Sequence, residues 1–129
     1  MTFLPTIFAI GIGATIGASM RYYLTIFASR TFSPNFPYGT LSVNIIGSFL
    51  AGILVVIIIE KAMLSEGYRL LLLIGFTGSL TTMSALSLES VKMLGMGDYA
   101  QASLNIGLNL ILSLSAAAAG VILTRLAFN

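Results

Sequence analysis

Residues 75–89 read GFTGSLTTMSALSLE, a run that sits inside an apolar segment of membrane-crossing length and breaks its regularity. Gly75 and Gly78 each weaken a helix by about 1 kcal/mol relative to alanine. Ser79, Thr81 and Thr82 offer side-chain hydrogen bonds that compete with the helical ladder. The stretch therefore predicts a helix interrupted near the middle of a bilayer. Backbone freed from its ladder at that depth is tolerated only where protein buries it or where it lines a hydrated cavity, so an ion or substrate site is expected here. Past the interruption, Ser79 or Thr81 is expected to cap a renewed helix whose N-terminal amides favour an anion. Carbonyls released before it suit a cation.

The rest of the chain agrees with a membrane setting. Of its 129 residues 57% are hydrophobic and 8% charged, and the mean hydropathy is +1.03; a soluble domain carries about 25% charged residues. A bilayer-crossing helix needs about 20 residues, so the length accommodates four spans in a single domain, residues 1–129, with no room for a soluble one. Fold class follows: an all-α membrane protein of four transmembrane helices with a broken third helix. There is no cysteine and no histidine, which removes disulfides, thiol catalysis and the usual transition-metal ligands. The first segment has no basic stretch before it and is expected to be a mature span rather than a signal peptide.

The first span is expected over residues 4–29. Gly13 and Gly17 form a GxxxG pair that lets helices approach closely in lipid. Arg21 falls about 25 Å along that helix, near the far interface, where it either snorkels or draws anions to a pore mouth. Residues 30–38, RTFSPNFPY, hold two prolines and aromatic anchors and form an interfacial loop. The second span is expected over 39–60, with Asn44 and Ser48 on one face at i, i+4. A buried amide must find a partner, so Asn44 is either interhelical glue or part of a polar path. Residues 61–69 form a connector. The third span, 70–94, carries the interruption, then Met83 and Leu86 on one stripe and Thr81, Ser84 and Ser87 on a polar one. Glu89 and Lys92, at i, i+3, are expected to pair. GMGD turns the chain at 95–98. The fourth span, 99–126, spaces Asn105, Asn109 and Ser113 at i, i+4, i+8, a stripe that faces a partner helix or a pore.

Alternating spans place Lys61, Arg69 and Arg125 on one side of the membrane and Arg21, Arg30 and Lys92 on the other. A Lys/Arg excess normally decides orientation; this balance predicts insertion both ways. Four short helices surround a pore poorly, so an antiparallel, dual-topology homodimer with sites at the interface is expected.

These features resemble the Fluc fluoride channels, small four-span proteins that assemble as dual-topology antiparallel dimers with two pores. The resemblance covers essentially the whole chain and rests on GIGATIGASMRY in the first span, YGTLSVNIIGS entering the second and GFTGSLTTMSALSLE in the third. It implies a passive fluoride-selective channel that exports the ion across the bacterial inner membrane. It assigns the family's pore asparagine to Asn44, its first-span arginine, in the vestibule, to Arg21, and its fourth-span polar track to Asn105, Asn109 and Ser113. Ser84 joins the pore residues. A structural sodium ion at the dimer centre would fall on the carbonyls of Gly78 and Thr81.

The family typically reads TTFSTFS where this chain reads TTMSALS. Met83 and Leu86 stand in place of two phenylalanines, and Ala85 in place of a threonine. Those rings are thought to present electropositive edges to dehydrated fluoride. Leucine has no such edge and methionine only a weakly polarised methyl, so reduced or altered conduction is expected. The partners implied are fluoride, sodium, the lipid bilayer and a second copy of the chain, with no nucleic acid.

Two other readings compete. A proton-coupled exporter like the small multidrug resistance family needs an acid in the first span, and here that span has none. A non-transporting assembly protein would use the polar stripes for helix association alone. An enzyme is not expected, since no base or nucleophile accompanies Glu89.

Overall fold

The computed structural model describes residues 3–33 and 35–128, and every regular element among them is helical. Helix α1 spans Phe3–Thr31. Helix α2 runs α-helically over Tyr38–Val55 and continues as a π-helical turn over Val56–Glu60. Helix α3 covers residues 66–80: an α turn at Glu66–Tyr68, a π-helical stretch at Arg69–Thr77 and a last α turn at Gly78–Leu80. Helix α4 is Met83–Gly95, and α5 is Tyr99–Ala127. Taken as continuous segments, Phe3–Thr31, Tyr38–Glu60, Glu66–Gly95 and Tyr99–Ala127 are each long and apolar enough to cross a membrane. The protein is a multi-pass membrane protein.

The connections follow local chemistry. After α1, Phe32, Phe36 and Tyr38 gather their rings, with centroids 5.2 Å apart for Phe32–Tyr38 and 5.0 Å for Phe36–Tyr38, and Pro37 immediately precedes α2. Helix α4 ends where Gly97 takes a positive φ of 79°. Asp98 N then donates to Met93 O (2.9 Å) and Gly97 N to Leu94 O (3.0 Å), the paired reverse bonds that close a helix on a left-handed residue. The sequence placed residues 61–69 wholly in a connector, but α3 begins at Glu66. An acid in a helix's first turn complements its dipole, and Glu66 pairs with Arg69 (2.7 Å) one turn on.

Glycines decide how closely the helices approach. Helix α1 lies along α3: a Cβ at Gly13 would strike the Leu71 carbonyl, one at Gly17 the Phe76 carbonyl, and one at Gly75 the Ile10 carbonyl (2.6 Å). The partners rise together along the chain, so the two helices run parallel. Helices α2 and α5 also run parallel, with Gly52 against Ala117 and Gly120 against Phe49. Gly39 lets α2 start tightly against Thr25 of α1. Gly75 therefore serves close packing inside a helical segment rather than interruption. Val43, Val56, Leu80 and Asn105 are fully buried between these pairs, while much of the apolar surface of α1, α4 and α5 faces outward.

Candidate functional site

The α-helical backbone stops at Leu80. Thr81 (φ −79°, ψ 157°) and Thr82 (φ −152°, ψ 113°) are extended, and α4 starts at Met83. The side chain of Thr82, not Ser79 or Thr81, caps α4, its Oγ1 accepting from Ala85 N at 3.2 Å. An N-cap residue needs non-helical torsions and an oxygen within reach of the third amide of the new helix. Thr82 meets both conditions, whereas Ser79 still lies inside the preceding helical turn.

Asn44 holds this extended pair in place. Its Oδ1 accepts from Thr82 N (2.7 Å) and its Nδ2 donates to Thr82 O (3.2 Å), so one side chain satisfies both polar groups of a residue that has left the ladder. Asn44 Nδ2 also donates to Asn109 Oδ1 (2.8 Å). Asn109 Nδ2 in turn donates to Asn105 O (2.9 Å) and Asn105 Oδ1 (3.0 Å), and Asn105 Nδ2 to Ser90 Oγ (3.1 Å). A chain of amides thus ties α2, the extended pair, α5 and α4 together. In a low-dielectric interior such a fully satisfied network holds its members rigidly. The polar stripe of α5 and Asn44, separate in sequence, are one cluster in space.

A groove of about 480 Å³ opens beside that cluster. It brings together Asn44, Met83, Leu86, Asn109 and Ser113, with Thr81 and Thr82 at its wall. Met83 is 73% exposed and Leu86 only 7%, so the two residues of the apolar stripe occupy different environments. Ser113 Oγ is buried and has no hydrogen-bond partner among the described residues. Asn105 does not line this groove; it is 0% exposed and sits behind Asn109.

Arg21 and Ser84 line a second cleft, of about 540 Å³, together with Thr82 and Glu89. Arg21 is half-buried, and its Nη1 lies 3.4 Å from the carbonyl of Thr81, so the guanidinium reaches the extended pair. Gly78 is exposed and Thr81 half-buried. Thr82 N, which would continue the ladder to Gly78 O, donates to Asn44 instead.

Glu89 departs from its expected pairing. It accepts a hydrogen bond from Thr40 Oγ1 (2.5 Å) across the α2–α4 contact, and among the described residues no ion pair joins it to Lys92. The physical reason is facing: Glu89 is half-buried against Thr40 of α2 while Lys92 is exposed. Sequence reasoning missed three contributors: Thr82 as the cap, Thr40 as the partner of Glu89, and Ser90 as the acceptor of the amide chain. Only the threonine-rich run around Thr82 carried any signal of this.

A family model described as CrcB-like protein, Camphor Resistance (CrcB), matches residues 8–121. Among the chain's relatives is a protein named fluoride-specific ion channel FluC from Sulfurihydrogenibium sp., 40% identical over 91% of this chain and 94% of its own length. A protein of the same name from Clostridium perfringens is 41% identical over 92% of this chain and 93% of its own. A third, from Vibrio parahaemolyticus, is 41% identical over 84% of this chain and 85% of its own.

Proposed function

Since the chain belongs to the CrcB family, we propose that it is a passive, fluoride-selective channel rather than an enzyme. The observation that carries this reading is the groove in which Asn44, Asn109 and Ser113 gather beside extended backbone, inside helices apolar enough to cross a bilayer. Polar side chains inside spanning segments face the bundle interior or a water-filled path, and here they border a groove. Fluoride would enter past Arg21 and Ser84, whose cleft adjoins the extended pair. The N-terminal end of α4 adds a favourable dipole for an anion. The ion would then shed water to the few polar groups set along a groove whose walls are otherwise apolar.

The finer features belong to the same proposal. Two copies in antiparallel orientation would form two pores, in a bacterial inner membrane, exporting fluoride that entered as its neutral acid. Exposed Met83 supports a second copy covering it. With methionine and leucine where the family carries rings, conduction would be reduced. The structural sodium ion of the resemblance would be held by the carbonyls of Gly78 and Thr81, released backbone oxygens being suited to sodium. The donor set agrees in part: Gly78 O lacks the ladder donor taken by Asn44, while Thr81 O already receives Arg21. Two carbonyls from one chain leave such a cation half-coordinated, so the partner copy would supply the rest.

Fluoride efflux from liposomes carrying the purified chain, followed with a fluoride electrode and with chloride as control, tests the reading. Fluoride flux without chloride flux is expected. Absence of both would reject the channel and leave helix association as the role of the polar stripes.

A further inference from the structure

The amide cluster consists of two halves. In one, Asn44 grips Thr82, its Oδ1 accepting from Thr82 N (2.7 Å) and its Nδ2 donating to Thr82 O (3.2 Å). In the other, Asn109 Nδ2 donates to Asn105 O (2.9 Å) and Asn105 Oδ1 (3.0 Å), and Asn105 Nδ2 donates to Ser90 Oγ (3.1 Å). Within the cluster, a single hydrogen bond among the described residues joins the halves, from Asn44 Nδ2 to Asn109 Oδ1 at 2.8 Å. Backbone groups fix which way both amides point. Thr82 N can only donate and Asn105 O can only accept, so Asn44 turns its nitrogen, and Asn109 its oxygen, toward each other.

A side-chain amide carries two N–H groups. Those of Asn44 go to Thr82 O and Asn109 Oδ1, and those of Asn109 go to the two oxygens of Asn105. Both residues line the groove, yet neither has an N–H left for an ion within it. Both side chains are also almost covered, Asn44 being 8% exposed and Asn109 3%. An acceptor that takes an N–H of Asn44 therefore has to displace one that Asn44 already serves. Thr82 O belongs to extended backbone that Asn44 holds twice. Asn109 Oδ1 sits on a side chain held to Asn44 by one bond, and it yields by a side-chain rotation that leaves the α5 backbone in place.

Resting on the channel reading above, we infer that Asn109 is a built-in competitor of the anion, its Oδ1 occupying the Asn44 N–H that an ion in the groove needs and latching the cluster shut until the ion displaces it. Asn109 is thus a positioning residue that acts through Asn44. Its bonds to Asn105 keep Oδ1 aimed at Asn44, and a tethered acceptor returns as soon as the ion leaves because its effective concentration is high. Opening the latch breaks one neutral hydrogen bond. An ion that binds only the open form has its apparent affinity reduced by the fraction open, about fivefold for one such bond. The latch therefore holds the cluster shut when the anion is scarce and gives way to a small, strong acceptor.

The test uses the full chain, with efflux from liposomes measured over a range of sodium fluoride concentrations and ¹⁵N spectra of the asparagine-labelled chain recorded in detergent against sodium fluoride and sodium chloride. Asn109→Ser and Asn109→Leu, the second close to asparagine in volume, each withdraw the competing oxygen. Both are expected to lower the half-saturating fluoride concentration about fivefold. In the parent, fluoride should shift the side-chain amide signals of Asn44 and Asn109 together, and chloride, a weaker acceptor, should leave both in place. In the variants the Asn44 signal should respond at about fivefold less fluoride. An asparagine that merely supports the fold would lower flux on replacement and leave half-saturation where it was. Folded variants with unchanged or raised half-saturation, beside a conducting parent, would overturn the latch and keep the channel. Amide signals that move together in a parent without flux would keep the latch and reject the channel. Neither flux nor movement would overturn both. Where helix content and elution volume show that the variants do not fold, the parent's amide signals decide: joint movement supports the latch, and stillness overturns it.

Discussion

Asn44 carries more of the site than its residue type announces. From sequence it is a buried amide that needs a partner. In the folded chain it has three bonds, to Thr82 N, Thr82 O and Asn109 Oδ1. Replacing it with alanine strands buried polar atoms on two other segments, at a cost of about 3 kcal/mol. Asn44→Ala should therefore unfold at lower temperature in detergent than the parent; an unchanged midpoint would mean that the extended pair is held by something else. Met83 and Leu86 separate in the same way. A phenylalanine at exposed Met83 has room, whereas at Leu86, 7% exposed, the larger ring overfills a packed position at a cost of about 1–3 kcal/mol. Met83→Phe should raise fluoride efflux with the melting midpoint kept, and Leu86→Phe should lower the midpoint. Equal stability losses in the two variants would contradict the difference in their surroundings.

Helix pairing depends on backbone approach more than on side-chain bulk. In lipid there is no hydrophobic drive between helices, so close van der Waals contact has to replace it. The GxxxG pair at Gly13 and Gly17 supplies that contact, and the structure identifies its target as the π-helical stretch Arg69–Thr77 of the same chain. Gly11 lies on the same helix with nothing within 4 Å of where a Cβ would sit. Gly13→Ala should abolish monodisperse protein or sharply lower its melting temperature, while Gly11→Ala should behave as the parent, as size-exclusion profiles and melts would reveal. A tolerated Gly13→Ala would mean that α1 and α3 are not packed backbone to backbone. The close contacts were legible as small residues at four-residue spacing. Their partner was not, because GxxxG specifies proximity and not the neighbour.

One chain leaves unusual surface uncovered. Gly78 is exposed next to extended backbone, and Met83, Leu88 and Val91 present an apolar face along α4. Lipid could cover that face, but a second copy fits the balanced Lys/Arg count, which gives the chain little to orient by. The absence of cysteine makes a direct test simple. Met96→Cys, exposed at the end of α4, should be labelled by an impermeant maleimide from both sides of the membrane in equal measure, and Gly78→Cys should cross-link into dimers. Labelling from one face only would rule out dual topology.

Hydropathy and residue spacing in the sequence determined the four crossing segments, the turn at Gly97, the stretch in which the backbone leaves the helix, and the α5 stripe. Each is a local property of periodicity or turn chemistry, readable without knowing any neighbour. The cap residue escaped that reading because several adjacent hydroxyls were equally eligible, and only the bond from Thr82 N to Asn44 selected one. Glu89 likewise had Lys92 within reach along its own helix and took Thr40 across a gap instead. Tertiary structure alone decided the register of α2 on α5, hence the joining of Asn44 to Asn109. Register is a property of two surfaces in contact, fixed by where Gly52 and Gly120 allow backbones to meet.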